Sequence, residues 1–141
     1  LYDSPTSKFV ADFLGDLNSI SARISALTED QVTFTARNLD FTYSRSKFQI
    51  PGGISLREDD HVDLCVRPYD TRVQREVVDG SITGTIQNRM YRGNETAYMI
   101  DTSWGEFLVI DEEQTTDIDI DTTVSMDWDE SNTFVYAVKG S

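Results

Sequence analysis

The sequence predicts an all-β fold: two small, partly open five-stranded half-barrels preceded by one short N-terminal helix. Three observations predict it. From Ser19 onward, apolar and polar residues alternate with a period of two over most of the chain. The alternating runs are short and regularly spaced, with Gly or Pro at positions 51–53, 68, 80, 93 and 105 between them. Apolar residues make up 38% of the 141, enough for a modest core, and no run approaches the ~20 residues of a membrane span. A small sandwich is the other arrangement that such strands adopt.

The helix is read from residues 1–18. Ser4 is a good N-cap, because its hydroxyl accepts from an orphan backbone N–H, and Pro5 suits the first helical position. Phe9, Val10, Phe13 and Leu14 form an apolar stripe, and Gly15 can close the helix in a left-handed conformation. A helix of about ten residues is unstable alone. Its stripe must pack on the body of the chain or on something upstream, so the chain reads as the tail of a larger protein.

Strands follow. Ile20, Ala22, Ile24 and Ala26 alternate with Ser and Arg, and Glu29-Asp30 turns into a second run of Val32, Phe34 and Ala36. Phe41 and Tyr43 mark a third run, Phe48 and Ile50 lead to Pro51-Gly52-Gly53, and Val62, Leu64 and Val66 form the next. Pro68 cannot donate to a ladder, so that strand ends there. Val77 to Gly80 reads as a joint. Beyond it come 82–90, 96–102, 106–110, 123–128 and 133–138, with turns at Arg92-Gly93-Asn94 and Trp104-Gly105. The half-barrels are therefore placed at 19–78 and 79–141.

Charge narrows the function. There are 25 acidic and 12 basic residues, a net charge of −13. A nucleic-acid surface needs Lys and Arg to displace counterions, so that class of partner is excluded. Such acidity serves solubility, and the scarcity of lysine (Lys8, Lys47 and Lys139) also fits a salty cytoplasm. A single cysteine, Cys65, forms no internal disulfide, and no signal peptide is visible, which points to the cytoplasm.

No catalytic machinery is legible. A Gly-x-x-x-x-Gly-Lys-Ser/Thr loop is absent, as is Gly-x-Gly-x-x-Gly, so this stretch has no cradle for ATP or a dinucleotide. Asp117, Asp119 and Asp121 alternate with Ile118 and Ile120. As a strand they would share one face and attract a hard cation, but the calcium-loop spacing fails at Thr122 and Trp128. The preferred reading is a solvated acidic loop or an edge strand with inward Ile and outward Asp. His61 has no second His with which to bind zinc. Cys65 faces away from Leu64 and Val66 and reads as a buried structural thiol.

Arg67, Arg72 and Arg75 cluster with Asp70 and can form an ion-pair network at a barrel rim or subunit interface. Arg92 and Trp104, both in turns, join Arg67, Asp70 and Arg72 as candidate interface or effector residues; exposed Trp often anchors partners. Trp128 lies in phase with Val124 and Met126 and is expected in the core.

Three stretches carry a family likeness. Leu1-Tyr-Asp-Ser-Pro5 with Phe9-Val-Ala-Asp-Phe-Leu-Gly15-Asp-Leu-Asn18 resembles the segment that ends the nucleotide-binding domain of importer-type ABC ATPases. Val66-Arg67-Pro68-Tyr69-Asp70 is similar to the Val-Arg-Pro-Glu-Asp stretch of the same proteins, with Tyr69 in place of an acidic residue. Gly84-Thr85-Ile86, Met90-Tyr91-Arg92-Gly93, Tyr98-Met-Ile and Val124-Ser-Met-Asp-Trp128 look like the pattern of the transport-associated OB-fold (TOBE) region. The three occur in family order. The Asp16-Leu17-Asn18 variant most resembles the polyamine (spermidine/putrescine) branch.

The resemblance implies an OB-fold-like region, 19–141, following the last helix of an ATPase domain at 1–18. It implies a role in dimerisation and regulation, with ATP and Mg²⁺ bound by the upstream domain and no cofactor in this stretch. The partners it implies are a homodimeric copy, importer membrane subunits at the cytoplasmic face, and in some relatives a regulatory protein or the transported solute. A solute-sensing binding module is the alternative.

Overall fold

The computed structural model describes residues 17–51, 53, 55–114 and 116–137. The helix expected over 4–15 lies outside the described residues. The chain forms two units, one made of Leu1–Val66 with Asp129–Ser141 and the other of Arg67–Trp128. Each holds one five-stranded antiparallel sheet, an OB-fold-like arrangement.

The first unit begins with β1 (Asn18–Leu27), β2 (Gln31–Ala36), β3 (Leu39–Ser44) and β4 (His61–Val66). Period-two alternation does what the sequence requires of it: Ile20, Ala22, Ile24, Val32, Phe34, Ala36, Val62, Leu64 and Val66 are all buried. Phe34 packs edge-on against Tyr43 and Phe48, each at 5.7 Å between ring centroids. A bulge between Ile24 and Ala26 shifts the β1–β2 register, so Ala26 turns outward where unbroken alternation would bury it. Thr28 then closes the turn, its Oγ1 accepting from the Gln31 N–H at 3.0 Å. Cys65 is buried, with its Sγ 3.5 Å from Ser19 Oγ.

The second unit opens with a 3₁₀ turn, Pro68–Asp70, in which Pro68 takes the first position as its fixed φ allows. Its strands are β5 (Arg72–Gln74), β6 (Ile82–Arg92), β7 (Glu95–Thr102), β8 (Gly105–Asp111) and β9 (Thr123–Asp127). They lie in the order β5-β9-β6-β7-β8, and β5 packs beside β8, which curls the sheet toward closure. The inner face buries Ile82, Ile86, Tyr98, Ile100, Phe107, Val109, Val124 and Met126, with Ile118 added from the β8–β9 connection. A second bulge falls between Ile86 and Asn88. Trp128 is half-buried at the margin of this core, its ring 6.5 Å from Phe107, rather than inside it.

The last strand, β10 (Phe134–Ala137), belongs to the first sheet. It pairs with β4, from Phe134 opposite Cys65 to Ala137 opposite Val62. On its other side the Val135 N–H donates to Gln49 O at 2.8 Å, and the Gln49 N–H donates to Thr133 O at 2.9 Å. The division by sequence order therefore needs correction. The expected joint at Val77–Gly80 lies inside the second unit, and 133–137 return to the first. The open, apolar edge of β4 recruits that strand from beyond the whole of the second unit, and no local signal announces the pairing.

Candidate functional site

The most elaborate polar arrangement among the described residues lies where the β8–β9 connection meets the inner face of the second sheet. Antiparallel register sets two rungs there. Tyr91 pairs with Thr96 and Thr96 with Asp111; one rung inward, Arg89 pairs with Tyr98 and Tyr98 with Val109. Ile118 is the apolar anchor of the connection and is fully buried.

A directed chain of hydrogen bonds runs beneath it. The Thr116 N–H and Oγ1 both lie against Asp111 Oδ2, at 2.8 and 2.7 Å. An ionised carboxylate only accepts, so the Thr116 hydroxyl donates to it. The Tyr98 hydroxyl, 3.0 Å from Thr116 Oγ1, therefore donates to Thr116, and it accepts from the Ile118 N–H at 3.2 Å. Each hydroxyl spends its proton once, and bonds aligned this way polarise one another. Thr96 Oγ1, in the adjoining rung, is the one side-chain polar atom found buried without a partner among the described residues.

Arg89 secures the same connection from the side. Its Nη1 lies 3.1 Å from Asp117 Oδ1, 3.0 Å from Ile118 O and 3.1 Å from Asp119 Oδ1. The guanidinium sits 5.3 Å from the centroid of the Tyr91 ring, whose hydroxyl donates to Asp117 Oδ1 at 3.1 Å. Arg75 Nη2 donates to Asp117 O. The Arg89 side chain is 21% exposed, whereas those of Asp117 and Asp119 are 76% and 85% exposed. Desolvation pulls the Arg89 pKa down, but the Asp119 hydrogen bond and the charges of Tyr91, Asp117 and Asp119 outweigh it and raise it above the ordinary value. Partial desolvation, and then the bond to Asp117, raise the Tyr91 phenol above 10.0.

The acidic run is thus a loop, not a strand, with two of its carboxylates on Arg89. The expected inward placement holds for Ile118 and fails for Ile120, which is 47% exposed. Arg89 was not legible as a site residue: its partners lie 28 to 30 positions downstream, beyond the reach of any local pattern.

The candidates Arg67, Asp70, Arg72, Arg92 and Trp104 all fall in the second unit, on different partners. Arg67 O accepts from the Asp70 N–H at 3.0 Å and from Thr71 Oγ1 at 2.9 Å, which shapes the 3₁₀ turn. Arg72 Nε donates to Asp127 Oδ1 at 2.9 Å, directly across the β5–β9 ladder. Arg92 Nη2 donates to Glu95 Oε2 at 2.8 Å, and Tyr69 Oη donates to the same oxygen at 3.3 Å. Trp104 is half-buried in the β7–β8 turn, its backbone N–H donating to Thr102 Oγ1 at 3.1 Å. So Arg72 and Arg75 reach different elements, and Tyr69 and Arg92 converge on one carboxylate.

Residues 64–135 match the family model of the TOBE domain, from the middle of β4 through all of β5–β9 into β10. The chain belongs to the TOBE domain family. Among curated proteins, this TOBE chain is 25% identical over 115 residues to the spermidine/putrescine import ATP-binding protein PotA of Mesorhizobium japonicum, covering 82% of the chain and 29% of that protein. It is also 25% identical over 126 residues to the Fe(3+) ions import ATP-binding protein FbpC of Brucella abortus, covering 89% and 33%. The TOBE chain thus spans about a third of the length of these relatives. Among solved structures, the molybdate-bound cytoplasmic molybdate-binding protein ModG superposes with a TM-score of 0.66 at 14% identity, covering 86% of this chain and 96% of ModG. That likeness concerns the fold alone. No helix among the described residues is long and apolar enough to cross a membrane.

Proposed function

We propose that this TOBE chain is the regulatory and dimerisation region of an ABC importer ATPase subunit, with polyamines as the leading class of imported solute. One observation carries the reading: the TOBE match lies in a chain whose curated relatives include ATP-binding subunits of importers. The named cargoes of those two relatives, spermidine/putrescine and Fe(3+), are both cations. In this reading ATP, Mg²⁺ and hydrolysis belong to an upstream domain at the cytoplasmic face of the membrane, and the chain itself turns nothing over. The β-rich region holds two copies together while the ATPase domains cycle.

The test begins with the parental reading frame. A phosphate-binding loop and an ABC signature upstream of Leu1 are expected; a natural start codon at Leu1 would overturn the proposal. The full-length subunit, assembled with its membrane partners in vesicles, should then take up radiolabelled spermidine in preference to ferric iron, and sedimentation should show a dimer.

A second reading, a solute-sensing module, is favoured by the exposed carboxylates of Asp117 and Asp119 and the net charge of −13. It requires that a bound cation raise the unfolding midpoint with concentration.

A further inference from the structure

We propose that Asp79-Gly80 is a site of spontaneous isoaspartate formation, and that Ser81 governs its rate. The chain contains this Asp-Gly pair once. It lies in the β5–β6 connection, where every residue from Gln74 to Gly80 is exposed. Exposed loop segments of this kind are where disorder and proteolysis concentrate, because little holds the backbone in one conformation.

The chemistry follows from the residue pair. The Gly80 amide nitrogen attacks Asp79 Cγ. A C–N bond forms, the nitrogen gives up its proton, and one carboxyl oxygen leaves as water with a proton from solvent. The product is a five-membered succinimide. Water then opens the ring at either carbonyl, giving back aspartate or diverting the main chain through the side-chain carboxyl. Glycine favours the attack because it carries no side chain to shield the nitrogen, and a Cβ built on Gly80 would meet nothing within 4 Å.

The turn restrains this reaction. Gly80 has φ +82°, while Asp79 is not among the positive-φ residues, which is the pattern of a type II turn. A type II turn holds ψ of its first central residue at about +120°, rotated away from the geometry that brings a carboxyl carbon onto the next nitrogen, so ring closure requires the turn to open first. Two bonds close it, both from Ser81 to Val78 O: the backbone N–H at 3.2 Å and Oγ at 2.6 Å. Ser81 is therefore a positioning residue for a reaction in which it takes no chemical part.

The consequence reaches the sheet. The connection joins β5 and β6, which flank β9 on opposite sides. Diverting the main chain through the side chain adds a methylene to it and changes the span. β5 is only three residues long and holds Arg72 against Asp127, so it is the strand least able to absorb the change.

The test incubates the whole chain at neutral pH in ¹⁸O-labelled water, with digestion and mass spectrometry at intervals. Transfer of a labelled methyl group from S-adenosylmethionine by a protein isoaspartyl methyltransferase reads the product independently. Label is expected to accumulate in the peptide containing Asp79. Asp79→Glu should abolish it, since closure would then need a six-membered ring. Ser81→Ala should speed it about fivefold, the factor given by losing one hydrogen bond from the closed turn. If the native chain stays unlabelled while the urea-unfolded chain converts, the proposal falls. An unchanged rate in Ser81→Ala would overturn the role given to Ser81.

Discussion

At the scale of single residues, Arg89 shows how much one side chain can organise. One nitrogen, Nη1, faces three oxygens at 3.0–3.1 Å but carries only two hydrogens, so at least one bond is shared. Lysine would keep the charge and lose the planar fork; Arg89→Lys is therefore expected to speed amide hydrogen exchange at 117–119 while leaving the first sheet unchanged. Tyr91 gives a prediction in pH. Its folded pKa is raised above 10.0, which means the neutral phenol is the stabilised form. That stability is fully present below pH 10 and is lost as pH rises through the folded value. In unfolding midpoints measured across an alkaline series, the parent should therefore lose its advantage over Tyr91→Phe above pH 10. An advantage that grows there would refute the assignment. None of this was legible beforehand, because an arginine and a tyrosine on the outer half of a hairpin read as ordinary surface residues until the chain returns to meet them.

At the scale of elements, alternation located nearly every strand, and the bulges explain where it misled. A strand keeps a period of two only while its ladder is regular. The slips at Ile24/Ala26 and Ile86/Asn88 re-aim every residue beyond them, and sequence carries no mark of them. β5 escaped notice because three residues are too few to show a period. Gly84, read only as part of a family pattern, has a physical reason. A Cβ there would sit 2.6 Å from Asp101 O and 2.7 Å from Ile100 Cγ2 on the paired strand. Because the first of these is backbone, Gly84→Ala should destabilise the second unit by about 1–3 kcal/mol in urea unfolding. The β8–β9 connection supplies a paired test. Ile118 is fully buried and Ile120 is 47% exposed. Ile118→Ala should cost about 2–5 kcal/mol, whereas Ile120→Ala should fall within about 0.5 kcal/mol of the parent. Equal effects would mean that the two isoleucines share a face, as simple alternation had implied.

At the scale of the whole molecule, sequence order and structural membership part company, and that has a consequence for folding. The second unit is continuous, since Arg67–Trp128 contains all five of its strands. The first is not: β10 closes it from the far side of the sequence. A piece comprising 67–128 should therefore unfold cooperatively by itself, in the size range of about 60 residues where domains fold alone with marginal stability. A piece ending at Val66 should not. It leaves β4 with an unpaired apolar edge and deprives the Gln49 backbone of its partners on Thr133 and Val135. Joining 129–137 to the end of 17–66 through a short flexible linker should restore cooperative unfolding, because loop closure costs little next to a recovered strand. Circular dichroism melts of the three pieces decide the matter. If 17–66 alone melts as sharply as the linked piece, β10 is an accessory strand, and the division of the chain into a continuous and a discontinuous unit has no energetic meaning.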